Sequence, residues 1–160
     1  MASPEVRTFA DLGGRSEAAA EEIAGIAQAS VAARGRFTIA LAGGNTPRRT
    51  YEALASRFRD AVDWSRTEIL FGDERFVPHE DPRSNYKMVR EALLSRAPIP
   101  PTCVHPVPTD LPTAADAADQ YESTLRRLFA DHTTDAGGGD RVTGAAATER
   151  DFEPGAAAMG

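Results

Sequence analysis

Short apolar runs mark the strand candidates of this chain. The residues at 37–42 form a short and nearly unbroken apolar run, which is typical of a strand that is covered on both faces in a parallel sheet. A second short strand is predicted at 67–71, where Gly72 marks its end. Two weaker candidates lie at 6–10 and 103–107, and Pro106 would confine the second of these to a sheet edge. The pattern therefore predicts a small parallel sheet.

Segments with a helical repeat of apolar residues alternate with these runs. They cover 16–34, 47–59, 84–97 and 114–129. Ser16, Thr46 and Ser84 stand where N-caps are expected, Pro47 would occupy a first helical position, and Gly35 suits the left-handed residue after a helix. Strands that alternate with helices predict an α/β fold with a Rossmann-like parallel sheet and helices on both faces.

The same repeat predicts which side chains each helix buries. The predicted stripes are Ala19, Ile23, Ile26 and Ala27 in the first helix, Tyr51, Leu54, Ala55 and Phe58 in the second, Tyr86, Val89, Leu93 and Leu94 in the third, and Ala118, Tyr121, Leu125, Leu128 and Phe129 in the last. The remaining positions of these helices are mostly polar or charged, so we expect them to face solvent.

Composition narrows the class of protein. A chain of 160 residues with 41% hydrophobic and 26% charged residues is typical of one globular domain. The net charge of −6 disfavours nucleic acid or an anionic membrane as the main partner. A single cysteine, Cys103, excludes an internal disulfide, and no apolar run reaches membrane-spanning length. With no targeting segment recognised, we expect a cytoplasmic protein.

Two consecutive glycines follow the first strand. Gly43 and Gly44 allow a tight turn and a close approach of the backbone to a ligand. The free N–H groups of the helix that follows, around Asn45 and Thr46, would favour a phosphate. The turn matches neither the dinucleotide-binding fingerprint nor the P-loop, and a tight turn without any ligand is an equal alternative.

Three charged residues follow the second strand. Asp73, Glu74 and Arg75 stand where the carboxyl ends of parallel strands face a ligand crevice. A carboxylate can orient a neighbouring arginine, and an arginine can bind a phosphate through two hydrogen bonds. A solvated loop is the competing interpretation.

Four motifs together resemble one family. They are Ala-Gly-Gly-Asn-Thr-Pro at 42–47, Asp-Trp at 63–64, Phe-Gly-Asp-Glu-Arg at 71–75 and Ser-Asn-Tyr at 84–86. In order and spacing the chain is similar to the 6-phosphogluconolactonases, which share a Rossmann-like fold with glucosamine-6-phosphate deaminases and sugar-phosphate isomerases. The resemblance covers about residues 5–130, the family's N-terminal half.

The resemblance implies an enzyme that hydrolyses 6-phospho-D-glucono-1,5-lactone to 6-phosphogluconate in the oxidative pentose phosphate pathway, without a metal or an organic cofactor. The substrate-binding residues that it implies are Gly43, Gly44, Asn45, Thr46, Asp73, Glu74, Arg75 and Asn85. By this analogy Arg75 contacts the anionic groups of a small sugar phosphate, Asp73 and Glu74 hold the loop, and Asn85 supports the pocket wall.

The family's later Asp-Gly-His-Thr segment, whose histidine is expected to be the general base, is absent from this sequence. His79, His105 and His132 all stand in other contexts, so the catalytic residue is unknown. We expect a partial sugar-phosphate-binding domain at 1–130 and a disordered or aberrant tail at 131–160, as in a truncated and impaired enzyme.

Two alternatives stay open, a non-catalytic sugar-phosphate-binding fragment and a sugar-phosphate isomerase or deaminase relative. The sequence leaves the oligomeric state open. It also leaves open the roles of Arg48, Arg49, Arg83 and Lys87.

Overall fold

The computed structural model describes residues 6–130. In chain order it contains α1 (Leu12–Arg34), β1 (Phe37–Leu41), α2 (Asn45–Leu54), β2 (Thr67–Phe71), α3 (Asn85–Val89) and α4 (Ala114–Ala130). Trp64–Arg66 and Pro101–Cys103 form single 3₁₀ turns, and Arg90–Leu94 continues α3 as a π-helical turn. The predicted alternation of strands and helices is confirmed, and the fold is α/β.

The strands β1 and β2 pair in parallel. Their register runs from Phe37 opposite Thr67 to Leu41 opposite Phe71. The third predicted strand, 103–107, is reduced to one parallel bridge between Val104 and Ile69. Extending that register would place Pro106, which has no N–H, opposite Phe71, so a proline prevents a full ladder.

A tyrosine from α4 replaces the missing strand at this point. The Tyr121 hydroxyl accepts a hydrogen bond from the Phe71 N–H at 2.8 Å and donates one to the Phe71 carbonyl at 3.0 Å. One side chain thereby satisfies both backbone groups at the end of β2, as a strand neighbour would. Burial of its ring raises the pKa of Tyr121, so the hydroxyl stays protonated and keeps both bonds.

The main core lies on one face of the sheet. It combines the inward side chains of both strands, including Leu41, Ile69 and Phe71, with helices α1 and α2. Helix α1 buries a face of small residues, Ala20, Ala24 and Ala27, which lets it lie close to its neighbours. The buried face of α1 is therefore rotated relative to the predicted stripe. Ile26, a member of that stripe, is 51% exposed.

Three local predictions about the N-terminal region are corrected. Residues 6–10 form no strand, since Val6 is exposed and pairs with neither β1 nor β2. Helix α1 begins at Leu12, because the side chain of Asp11 accepts a hydrogen bond from the Gly14 N–H and is the N-cap. Ser16 lies inside the helix, where its hydroxyl donates to the Leu12 carbonyl. At the other end Gly35, with φ of 76°, caps the helix as predicted.

The apolar stripe of α4 is only half covered. Its single fully buried residue is Ala117, Ala118 is exposed, and Phe129 is 48% exposed. The predicted stripe of α4 is thus less buried than expected, because within residues 6–130 the helix has few neighbours to pack against. The predicted tail at 131–160 lies outside the described residues, and among the described residues no helix is long and apolar enough to cross a membrane.

Candidate active site

The turn after β1 is built around Gly44. This residue has φ of 106° and ψ of 171°, a conformation that is essentially restricted to glycine. Helix α2 then begins at Asn45, without a side-chain cap, so the prediction of Thr46 as the cap and Pro47 as the first helical residue was wrong by two positions. The backbone turn itself, through the Gly44 carbonyl that accepts from the Arg48 N–H, starts the helix.

A second tyrosine fixes the end of β1. The Tyr51 hydroxyl accepts a hydrogen bond from the Ala42 N–H at 2.9 Å and donates one to the Ala42 carbonyl at 3.0 Å. Burial, together with the negative charge of Asp73, raises the pKa of Tyr51. The strand end that carries the glycine turn is therefore held by a neutral phenol from α2.

The Glu74 carboxylate organises the loop after β2. It accepts hydrogen bonds from the N–H groups of Asn85 at 2.7 Å, Tyr86 at 2.8 Å and Arg75 at 2.7 Å, and from the Ser84 hydroxyl at 3.2 Å. A negative charge at the start of α3 also interacts favourably with the helix dipole. These hydrogen bonds tie the loop after β2 to the start of α3, which is the geometry that the predicted role of holding the loop requires.

Asn85 joins the two strand ends. Its side-chain amide donates to the Asp73 carbonyl at 3.1 Å, and the residue is only 7% exposed. Its amide group lies against Gly43, where an added Cβ would come within 1.8 Å of the Asn85 Oδ1. Gly43 is therefore required for space, and the turn after β1 touches the loop after β2.

Arg75 is an exposed cation in the loop after β2. Its guanidinium lies 3.9 Å from an Asp73 carboxylate oxygen, and the two side chains are 66% and 57% exposed. An exposed pair at this distance contributes little to stability. The guanidinium can thus exchange Asp73 for a bound anion at little cost in stability.

The other basic residues near the site differ in whether they have ion-pair or hydrogen-bond partners. Arg48 pairs with Glu52 at 3.2 Å and with Glu91 at 3.3 Å, and the Lys87 ammonium donates to the Glu80 carbonyl. Arg83 forms a two-pronged bond with Asp81 and lowers the pKa of that carboxyl to about 2. Arg49 is exposed on α2, and no ion pair is found for it among residues 6–130.

The two described histidines are both engaged elsewhere. The Nε2 of His79 lies 2.9 Å from the Val107 carbonyl, so this nitrogen carries a proton, and the ring lies against Tyr86 with centroids 4.5 Å apart. His105 Nε2 lies 2.7 Å from Glu68, beside β2. His132 lies outside the described residues. Within the described range no three acidic, histidine or cysteine side chains could together hold a metal ion.

The structure thus brings together Gly43, Asp73, Glu74, Arg75 and Asn85, and it places the first turn of α2, with Asn45 and Thr46, directly after Gly44. Sequence reasoning missed the phenol of Tyr51 as part of this assembly. Its position in a predicted buried stripe gave no sign that the hydroxyl bonds a strand end nine residues earlier.

Comparisons with known proteins show the family of this chain. The family model for glucosamine-6-phosphate isomerases/6-phosphogluconolactonase matches residues 11–141. A 6-phosphogluconolactonase of Synechocystis is 43% identical over 100 residues, which is 62% of this chain and 40% of the relative. One from Mycobacterium leprae is 40% identical over 125 residues, which is 74% of this chain and 50% of the relative.

A solved structure gives the same picture for the fold. The crystal structure of 6-phosphogluconolactonase from Thermotoga maritima superposes with a TM-score of 0.67 at 34% identity, over 72% of this chain and 51% of that one. The chain therefore spans between 40% and 51% of the length of these three relatives.

Proposed function

Since the chain belongs to the glucosamine-6-phosphate isomerase/6-phosphogluconolactonase family, we propose that it binds a sugar phosphate where β1 and β2 end. The reaction that we propose for this site is the hydrolysis of 6-phospho-D-glucono-1,5-lactone to 6-phosphogluconate. The observation that carries the proposal is the contact of Asn85 with both strand ends, which joins the glycine turn to the loop that bears the exposed Arg75.

Each part of the site has a physical role in this proposal. The N–H groups at Asn45 and Thr46 and the positive end of the α2 dipole attract an anion, and Gly43 and Gly44 let it approach the backbone. Arg75 supplies the paired donors that match phosphate or carboxylate oxygens. Asp73, Glu74 and Asn85 hold that arginine and the loop in place.

Hydrolysis needs a base as well as a binding site. Water must lose a proton as it adds to the lactone carbonyl, after which the ring C–O bond breaks and leaves a carboxylate and a hydroxyl group. Both described histidines already have partners, and the family's histidine segment is absent from the sequence. Loss of a general base typically costs on the order of 10²–10⁴-fold in rate. We therefore propose weak hydrolysis by this chain and retain non-catalytic binding as the second candidate function.

Ligand-dependent stability tests the binding site separately from catalysis. Saturating 6-phosphogluconate, at 100 times its Kd, adds about 2.7 kcal/mol, or roughly 5–10 °C in Tm for a chain of this size. Arg75→Ala should abolish the shift. Arg57→Ala is the matched control, since Arg57 pairs with Glu17 on α1 and should leave the shift unchanged. No shift in the unaltered chain would refute the sugar-phosphate site.

Product analysis separates the candidate reactions. Acid release from the lactone above its spontaneous opening supports the hydrolase, whereas interconversion of aldose and ketose phosphates or release of ammonia from glucosamine 6-phosphate supports the isomerase and deaminase alternative. Stabilisation without any turnover supports the non-catalytic candidate. A cytoplasmic location also stays a prediction, which cell fractionation with an antibody to the chain would test.

A further inference from the structure

The glycine turn after β1 presents a run of backbone donors. Among residues 6–130 no acceptor is found for four consecutive N–H groups, those of Gly43, Gly44, Asn45 and Thr46. The last two belong to the first turn of α2, where N–H groups have no partner within the helix. Consecutive N–H groups of one turn can together bind the oxygens of a phosphate. They bind well only if the turn holds them in one orientation.

A single side chain anchors this turn by hydrogen bonds. The Tyr51 hydroxyl accepts from the Ala42 N–H at 2.9 Å and donates to the Ala42 carbonyl at 3.0 Å. Within the described part of the chain these are the only side-chain hydrogen bonds to the segment 42–46, because α2 has no side-chain cap. The orientation of the turn therefore depends on Tyr51 more than on any other described side chain.

Peptide geometry carries the effect of this hydroxyl into the turn. The Ala42 carbonyl and the Gly43 N–H belong to one planar trans peptide, so they point in opposite directions. A hydroxyl that holds the carbonyl consequently fixes the direction of the Gly43 N–H, which points away from Tyr51. Asn85 limits the position of Gly43 by steric contact, and its own hydrogen bonds go to Asp73 and Glu74.

The phenol is itself held in place. Tyr51 is 4% exposed and belongs to the same core cluster as Leu41 and Leu54. Burial and the negative charge of Asp73 raise the pKa of Tyr51, so the hydroxyl keeps the proton that it donates. Phenylalanine at this position would fill nearly the same space and remove only the hydroxyl.

The end of β2 offers a matched comparison. The Tyr121 hydroxyl makes the same two hydrogen bonds to the backbone of Phe71. The loop that follows has an anchor of its own, since Glu74 accepts from the Asn85 N–H at 2.7 Å. Loss of the Tyr121 hydroxyl therefore leaves that loop attached to α3. Loss of the Tyr51 hydroxyl leaves the glycine turn with no side-chain hydrogen bond from the described residues.

We propose that Tyr51 is a positioning residue of the sugar-phosphate site: its hydroxyl fixes the peptide between Ala42 and Gly43 so that the Gly43 N–H donates to the phosphate group of the ligand. Tyr51 acts through the backbone of the turn and does not itself touch the ligand. The inference rests on the proposed function, because it requires a sugar phosphate to bind where β1 and β2 end.

Calorimetric titration of Tyr51→Phe and Tyr121→Phe with 6-phosphogluconate tests the proposal. A hydrogen bond to a charged group is worth about tenfold or more in affinity, so Tyr51→Phe should raise the Kd at least about tenfold. Tyr121→Phe loses the same pair of hydrogen bonds from β2, and its Kd should change less than about threefold. Urea denaturation should show similar losses of stability for both variants, so destabilisation alone would not explain the difference.

Nuclear magnetic resonance of the unaltered chain gives a second readout, which decides the question if Tyr51→Phe does not fold. On titration with 6-phosphogluconate the Gly43 amide proton should move downfield, as a hydrogen bond to phosphate requires. The Ala42 amide, which stays bonded to Tyr51, should move less. Failure of the unaltered chain to bind refutes the site and this inference with it. Binding that Tyr51→Phe retains, an equal loss in Tyr121→Phe, or an unshifted Gly43 amide overturns the inference alone.

Discussion

Replacement of Gly43 by alanine tests the contact that joins the two strand ends. An alanine Cβ would lie 1.8 Å from the Asn85 Oδ1 and 2.3 Å from its Cγ, far inside van der Waals contact. The asparagine side chain cannot simply rotate away, because its amide donates to the Asp73 carbonyl and its own N–H is held by Glu74. The substitution must therefore strain the turn or break the bond to Asp73.

The expected loss of stability follows from these two effects. Overpacking of a filled site costs about 1–3 kcal/mol. The lost hydrogen bond from Asn85 to Asp73 adds about 0.5–1.5 kcal/mol. Together they give a loss of about 1.5–4.5 kcal/mol for Gly43→Ala, which corresponds to roughly 3–18 °C in Tm for a domain of this size.

Urea denaturation followed by circular dichroism measures this loss. Gly25→Ala is the matched control, since Gly25 lies inside α1 with nothing within 4 Å of an added Cβ, and alanine there should stabilise the chain by up to about 1 kcal/mol. In the double variant Gly43→Ala/Asn85→Ala the clash is relieved, so its cost should fall below the sum of the single variants by about 1–2 kcal/mol. Wild-type stability of Gly43→Ala, or strict additivity, would refute the steric reasoning.

Three more predictions concern hydrogen bonds around the strand ends. Tyr51→Phe should lower the free energy of unfolding by about 1–3 kcal/mol, because it leaves the backbone groups of Ala42 without their partner. Tyr86→Phe is the control: no hydrogen bond of its hydroxyl is found among residues 6–130, so the change should cost less than about 0.5 kcal/mol in the same urea titration. Glu74→Gln replaces a charged acceptor at the start of α3 and should cost about 1.5–3 kcal/mol by thermal melting, and an unchanged Tm would contradict its role. The Asp81 carboxyl, whose pKa Arg83 lowers to about 2, should titrate near that value by carbon NMR and return toward 4 in Arg83→Ala. Since this pKa lies below its unfolded value, the stabilising effect of Asp81 is present above about pH 4 and is lost as the pH falls toward 2.

Local sequence patterns determined the elements that depend on nearby residues. The strand at Thr67–Phe71 was predicted to the residue, since four of its five positions are apolar or β-branched and the run ends at a glycine. The left-handed cap at Gly35 and the Ser84 cap of α3 were predicted because each acts within one helical turn. The motifs at both strand ends were sufficient to indicate the family.

The tertiary structure decided everything that depends on residues distant in the chain. Hydrogen bonding of Tyr121 to Phe71 spans fifty positions, and that of Glu74 to Asn85 spans eleven, so no helical or strand repeat encodes either. The buried face of α1 was predicted only in part: Ala27 is buried and Ile23 packs against the core, but close packing also buries Ala20 and Ala24 and leaves Ile26 exposed. A periodic pattern shows that a side chain needs a partner, but only the assembled sheet and helices determine which partner is present.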